Sequence, residues 1–447
     1  MARMRIAISV LGNFLDYKEA EYVIETNKTE IRERTKSSLV AITRAKKADK
    51  IILLIPFSVA SATCPELILS GDLENAKMEL SARAKESIES EVPHETTIET
   101  YVLPNIGTFK VKGSEKLLEL SGSSGTFHEA VYFNIYNSLK QIQELEIYID
   151  VTHAINSLIL DAVDGIMNSV RTLSAIDKIK GSVSIYYSDP YLTDYPNTPL
   201  HIRAFRKELM DSHTHSSSLL LSSFVANFNA NDYKRCLGSF DLPGFTDPTA
   251  LKMIVYKHNM GCVLLTSSLN ELLLMWKDRI LNVLESNISQ PLDNTAENKE
   301  NPTRIQMPLK IGRELSTAYS VLEILTSDPF RKGEVPSLED LREMSNYIAP
   351  PGSYLIKDEL DHIREIAKNL KKEPILLSKI FENLNSSSSG SPFLISKSPQ
   401  CRPNERNFIA HGGLERNVTW VVSKDKRIHL SYGPCLDEIK KSVRVFK

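Results

Sequence analysis

Leu145-Glu-Ile-Tyr-Ile-Asp150-Val151-Thr152-His153-Ala154-Ile155-Asn156 passes from an apolar strand, through a short polar turn, into the apolar helical pattern Ala154–Leu173. The same strand-to-helix alternation repeats on both sides of it. Arg5–Leu11 reads as a buried strand that ends at Gly12-Asn13, and Lys50–Pro56 reads as a second. Thr96–Leu103 and Ser182–Tyr187 complete the strands. Thr35–Ala48, Leu73–Glu91 and Phe127–Ile142 carry helical periodicity between them. Strands that alternate with helices need crossover connections. The stretch therefore predicts an α/β domain over residues 1–188, with a mostly parallel sheet and helices on both faces.

The pattern changes after Ser188. Asp189–Pro199 holds three prolines in a polar setting and marks a boundary. Residues 189–246 are expected to be a connector that carries the short basic segment Arg203–Lys207 and the Ser-rich loop around His213 and His215. From residue 247 the periodicity is helical. Asp247-Pro248 is an N-cap signal, and Leu251–Leu284 can form one long helix. Residues 247–447 are thus a mainly α domain, with an expected insertion at about 287–398.

Composition narrows the function. The 447 residues suit two or three domains. With 54 Lys+Arg against 56 Asp+Glu the net charge is −2, so no global basic excess marks a nucleic-acid coat or membrane-surface protein. The longest apolar stretch, Ile51–Ala62, is broken by Pro56 and falls short of the roughly 20 residues that span a bilayer. The N-terminus has no cleavage pattern, so a signal peptide is not expected. The 5 cysteines, Cys64, Cys236, Cys262, Cys401 and Cys435, lack zinc-ligand spacing. Scattered thiols in odd number fit a reducing, cytoplasmic setting, and no metal site is expected.

In an open α/β sheet, ligands bind at the carboxyl ends of the strands. Four junctions are expected on that rim: Gly12-Asn13, Phe57-Ser58, the small-residue run ending in Gly125-Thr126, and Asp150 to Asn156 with Thr152 and His153 between. They supply backbone N–H groups, hydroxyls, an amide and an imidazole, which suit a ligand bearing phosphates and bases. No Gly-x-Gly-x-x-Gly run follows the first strand, which disfavours a nicotinamide cofactor.

Near the other end, Asn404-Glu405-Arg406-Asn407-Phe408-Ile409-Ala410-His411-Gly412-Gly413 predicts a short helix capped by Asn404 and ended by the glycines. Arg406 offers a permanent planar charge for a phosphate. His411 titrates near neutrality and can move protons. Asn407 is four residues from His411 and shares its face. Arg406 and His411 are five apart, about 140° around an ideal helix. One helix therefore aims them apart, and two copies across a dimer would bring them together. Taken alone, the same residues read as a solvated arginine and a helix-capping histidine.

Asp150-Val-Thr152-His153-Ala-Ile-Asn156 resembles the Asp-x-Thr-His-Gly-x-Asn pattern of the CRISPR-associated Rossmann-fold (CARF) sensor domain, with Ala154 where glycine is usual. Arg406-Asn407-x₃-His411 resembles the R-x₄₋₆-H motif of HEPN ribonucleases. Sensor followed by HEPN is the order of the type III CRISPR ancillary ribonucleases. The resemblance implies an allosterically activated, metal-independent endoribonuclease that cleaves single-stranded RNA in antiviral defence. It would leave 2′,3′-cyclic phosphate and 5′-hydroxyl ends. It implies at least a homodimer. Its activator would be a cyclic oligoadenylate, with cyclic tetra-adenylate favoured because an even ring matches a two-fold pocket. No membrane partner and no further cofactor are implied. The catalytic residues would be Arg406, Asn407 and His411. The activator would lie against Gly12, Asn13, Ser58, Gly125, Thr126, Asp150, Thr152, His153 and Asn156. The rival reading is a ligand-sensing transcription regulator without nuclease activity, whose basic recognition helix Arg203–Lys207 is too short to supply.

Overall fold

The computed structural model describes residues 3–25, 29–153, 156–195, 197–225, 249–289, 303–306, 314–333, 335–367, 373–386, 401 and 403–445. The chain divides into two compact units, Met1–Asp211 with Asn282–Ser316, and Ser212–Leu281 with Thr317–Lys447.

The first unit is built on an eight-stranded sheet. Its strands are β1 (Met4–Val10), β2 (Ala20–Glu25), β3 (Glu30–Thr35), β4 (Lys50–Pro56) and β5 (Thr97–Leu103), then β8 (Glu144–Asp150), β9 (Lys180–Ser188) and β10 (Leu200–Met210), after the hairpin β6 (Gly107–Lys110) and β7 (Leu117–Ser121). The spatial order is β3-β2-β10-β9-β8-β1-β4-β5. The five strands β9-β8-β1-β4-β5 are mutually parallel. This is the expected mostly parallel Rossmann-like sheet, extended by a mixed flank, β10, β2 and β3, that the sequence pattern did not suggest.

Its helices are α1 (Ser38–Lys46), the short α2 (Ala60–Thr63) and α3 (Pro65–Ser70), then α4 (Leu73–Glu89), α5 (Thr126–Leu139) and α6 (Asn156–Ala175). Successive strand residues face opposite sides. On one face Ala7, Leu53 and Leu11 pack with Leu39 and Val40 of α1 and with Ala76, Leu80 and Ala84 of α4. On the other, Ile6, Ile8, Ile52 and Ile147 are fully buried. Lys50 points to that second face and donates to Ser138 of α5 at 2.9 Å, so α5 covers it. Burial on both faces explains why these strands read as continuous apolar runs.

Two segments fall in unexpected places. Arg203–Lys207 lies within β10, which pairs antiparallel with β9 and parallel with β2. The basic segment is therefore a strand of the first unit rather than part of a connector. Arg304–Gln306 forms β11, which pairs with β7 in a small side sheet. A piece of the expected insertion is thus also tied to the first unit.

A buried ionic cluster joins α5 to α6. His128 lies 3.4 Å from Asp164 and 3.7 Å from Glu129, while Glu129 accepts from the backbone and hydroxyl of Ser316 at 2.9 and 2.8 Å. Burial opposes the imidazolium, but the Asp164 and Glu129 carboxylates outweigh it and lift His128 to a pKa of about 9. The folded pKa lies above the ordinary 6.5. The charge therefore stabilises the fold fully below that pH, and its contribution is lost as pH rises through the folded value. Denaturant unfolding of wild type and His128→Gln is expected to show a gap that narrows by about 3 kcal/mol between pH 6 and pH 10. A gap constant across that range would mean that His128 is neutral throughout.

The second unit is mainly helical, with a small sheet of β12 (Ile375–Leu376), β13 (Trp420–Lys424) and β14 (Arg427–Ser431). His213 and His215 lie in the helix Ser212–Val225 rather than in a loop. The expected long helix is three: Thr249–Asn259, Val263–Ser268 and Asn270–Ser289. Gly261, at φ +95°, makes the first break, which an L side chain would resist. Its expected cap, Asp247-Pro248, lies outside the described residues. Among the described residues, no helix is long and apolar enough to cross a membrane.

Candidate functional site

In the first unit, the carboxyl ends of the neighbouring strands β1 and β8 meet. A Cβ on Gly12 would lie 2.5 Å from the carbonyl oxygen of His153, so only glycine lets the two turns touch. Tyr17 locks them together. Its hydroxyl accepts from Gly12 N at 3.1 Å and lies 3.4 Å from His153 O, and its ring stacks on the His153 imidazole with centroids 4.2 Å apart. The Tyr22 hydroxyl stands 3.5 Å from His153 Nε2. Burial pushes His153 below its ordinary pKa, partly offset by Asp150, so it presents a neutral ring. The Asn13 side chain donates to Asp16, while its buried Oδ1 has no partner. An amide oxygen left unsatisfied at the end of β1 is a ready acceptor for a ligand.

Asp150 is fully buried. One carboxylate oxygen accepts from Ser38 Oγ at 2.7 Å, and the other accepts from the backbone and hydroxyl of Thr152 at 3.1 and 2.6 Å. Thr152 Oγ1 also accepts from Ser188 N at 3.1 Å, tying the end of β8 to that of β9. These two residues shape the turn from within. Asn156 opens α6. Ser58 is buried after β4; its N–H donates to Asn105 at 2.9 Å, and its hydroxyl is unpartnered. Gly125 caps α5 and Thr126 begins it, buried. Tyr17 and Tyr22 were missed in the sequence, because a tyrosine beyond a turn carries no signal of its own.

In the second unit, Asn404 caps the helix Glu405–Ala410 by accepting from Asn407 N at 3.1 Å, as the motif predicts. His411 caps its C-terminal end. His411 Nδ1 pairs with Glu359 Oε1 at 2.8 Å, which leaves Nε2 outside that pair. Glu359 belongs to the helix Gly352–Ile366. Asn407 and His411 line an open depression of 460 Å³, shared with Phe381, Glu415, Arg416 and Asn417. Arg406 is exposed and does not line it. Glu415 is buried beneath, accepting from Asn404 N at 2.9 Å, and burial raises its pKa.

Four glycines place the helix end. Gly412 and Gly413 have φ of +56° and +81°. A Cβ on Gly412 would lie 3.2 Å from Gly261 O, and one on Gly352 would lie 2.1 Å from Asn259 O. Three chain segments thus cross at backbone distance directly behind His411. The loop is fastened again by a disulfide, Cys401–Cys435, with Cα atoms 4.9 Å apart. That pairing corrects the expectation of scattered free thiols. Cys64 and Cys262 are free and buried, and Cys236 lies outside the described residues. Among the described residues, no group of three or more His, Cys, Asp or Glu could hold a metal ion.

A parallel sheet with a ligand-ready rim, followed by a helical unit carrying Arg406-x₄-His411, matches two family models. Residues 6–190 match the CARF domain, and residues 349–434 the HEPN domain, of the CRISPR system endoribonuclease Csx1. The chain belongs to the CARF–HEPN ribonucleases associated with CRISPR systems. Within that class, both of its domains are similar to those of Csx1. The HEPN match takes in residues 349–398, within the expected insertion. No curated protein matches the chain. Among solved structures, Enterococcus italicus Csm6 bound to cyclic hexa-2′-fluoro-hexa-dAMP is similar at 12% identity over 99% of each chain. Its TM-score is 0.26, too low to support any argument.

Proposed function

We propose that the chain is a cyclic oligoadenylate-activated, metal-independent endoribonuclease that cleaves single-stranded RNA in type III CRISPR defence. The observation that carries this reading is His411, fixed at Nδ1 by Glu359 and lining an open depression, inside the segment that matches HEPN. His411 Nε2 would take the proton from a ribose 2′-hydroxyl, which attacks the adjacent phosphate. Arg406 would hold that phosphate as negative charge grows on it. Asn407 would orient a phosphate oxygen. The products are a 2′,3′-cyclic phosphate and a 5′-hydroxyl. Arg406 stands outside the depression that His411 lines, so the working centre would combine Arg406 and His411 from two copies in a homodimer.

The activator would bind the first unit through Asn13 and His153, with Gly12 letting their two turns meet. Cyclic tetra-adenylate fits a two-fold pocket. Its binding shifts the population towards the cleaving form. His153→Ala and Asn13→Ala are expected to raise the activator concentration for half-maximal cleavage about 10- to 150-fold, the loss of one hydrogen bond to a charged group. The rate at saturating activator should change far less. Titration with cyclic tetra-adenylate, read by RNA cleavage and by direct binding, checks this; unchanged curves in both variants would place the activator elsewhere. The same assay run in EDTA is expected to retain full cleavage, and strict dependence on added Mg²⁺ or Mn²⁺ would overturn the metal-free mechanism.

A further inference from the structure

The depression beside His411 has a feature that the cleavage chemistry does not use. The Arg416 guanidinium lies over the Phe381 ring, its central carbon 3.7 Å from the centroid, and Phe381 itself stacks at 5.4 Å on His362. The backbone holds this arrangement in place. Ser378 N donates to Arg416 O at 2.9 Å and Leu377 N to Thr419 O at 2.9 Å, so the helix bearing Phe381 is bonded to the turn bearing Arg416. Arg416 is exposed, and among the described residues no carboxylate forms an ion pair with it. One face of the guanidinium is therefore spent on Phe381, and the charged plane still borders the depression.

The remaining lining says what the depression accepts. Glu382 contributes a carboxylate and Asn417 an amide, while Glu415, buried beneath, is engaged by Asn404 N. The exposed Glu382 carboxylate repels a phosphate, and Arg406, the group suited to a phosphate, is not in the lining. A planar, uncharged ring with donors and acceptors on its edge suits the space: arginine planes and aromatic rings stack on nucleobases, and carboxylates and amides read base edges. A volume of 460 Å³ also falls in the range of small-molecule pockets.

We propose that this depression is a nucleobase subsite, in which Arg416, held over Phe381, stacks on the base of the RNA nucleotide whose 2′-hydroxyl faces His411. The proposal rests on the ribonuclease reading for its substrate, but not for its binding test. Arg416 here determines how substrate sits and takes no part in proton transfer.

The test compares the full chain with Arg416→Ala on two single-stranded RNAs, one intact and one with a base-free ribonucleotide at the cleavage position. On intact RNA, Arg416→Ala is expected to lower kcat/KM about 5- to 150-fold, the worth of one stacked base. On the base-free RNA, wild type should drop by a similar factor, and Arg416→Ala should lose nothing more. Equal losses from Arg416→Ala on both RNAs, or no loss on either, would overturn the subsite. Arg416→Lys should behave as Arg416→Ala if stacking matters, and as wild type if only charge does, which would overturn it too. Direct binding of a fluorescent adenosine monophosphate to wild type and Arg416→Ala forms the second arm. If no RNA is cut under any condition, the ribonuclease reading fails. Weaker mononucleotide binding by Arg416→Ala would then still support the subsite, and unchanged binding would overturn it.

Discussion

Replacing His411 by alanine is expected to lower RNA cleavage about 10²–10⁴-fold, the usual cost of losing a positioned general acid or base. The chain should stay folded. The His411 backbone bonds, from its N–H to Asn407 O at 3.0 Å and from Leu414 N to its carbonyl at 2.9 Å, do not involve the imidazole. Glu359, left without its partner, keeps a side chain 25% accessible to water, so no buried charge is stranded. Arg406→Ala should lose activity on a similar scale by a different route, because the charge that steadies the phosphate is gone. Arg406→Lys keeps the charge but not the two-pronged geometry, and should recover only part of it. Single-turnover cleavage beside a circular dichroism melt separates chemistry from folding. Near-normal cleavage by a folded His411→Ala protein would end the assignment.

The largest effect on stability is expected from Gly181→Ala. Gly181 has φ +139° and pairs with Leu145 where β9 runs beside β8. A Cβ there would sit 1.7 Å from the Leu145 carbonyl oxygen, a backbone atom that cannot rotate away. Backbone strain of about 1–3 kcal/mol adds to an overpacking cost of about 1–3 kcal/mol. A loss of about 2–6 kcal/mol by denaturant unfolding follows. Because Asp150 ends β8 and Ser188 ends β9, with Thr152 bonded to both, activator affinity should fall with it. A loss below about 1 kcal/mol would show that the two strands can part at this point.

The five parallel strands were legible to within a residue or two, since burial on both faces leaves long apolar runs such as Ile51–Ile55. The flank was not. β3, Glu30-Ile-Arg-Glu-Arg-Thr35, alternates under a load of charge, and its burial alternates with it. β10 reads as a basic linker because its middle faces water. The proposed cleavage motif was legible because a cap, a helical turn and two glycines are all local signals. Glu359 and Arg416 were not, because each reaches His411 or its depression only through tertiary packing. Asp150 and Thr152 read as polar residues at a strand end, and their sequence carried no sign that the turn itself takes up their hydrogen bonds.

The glycine crossing behind His411 also orders events during folding. A helix of six residues does not persist by itself, since nucleation costs more than so few bonds return. This one acquires its shape only when Gly261 and Gly352, far upstream, close onto Gly412. Such distant closures come late and together. The Gly413 amide, bonded to Phe408 O at 2.7 Å, should accordingly exchange with solvent only when the helical unit opens as a whole. A partly folded chain then has its imidazole but no place to hold it, and an enzyme that destroys RNA stays harmless until it is complete.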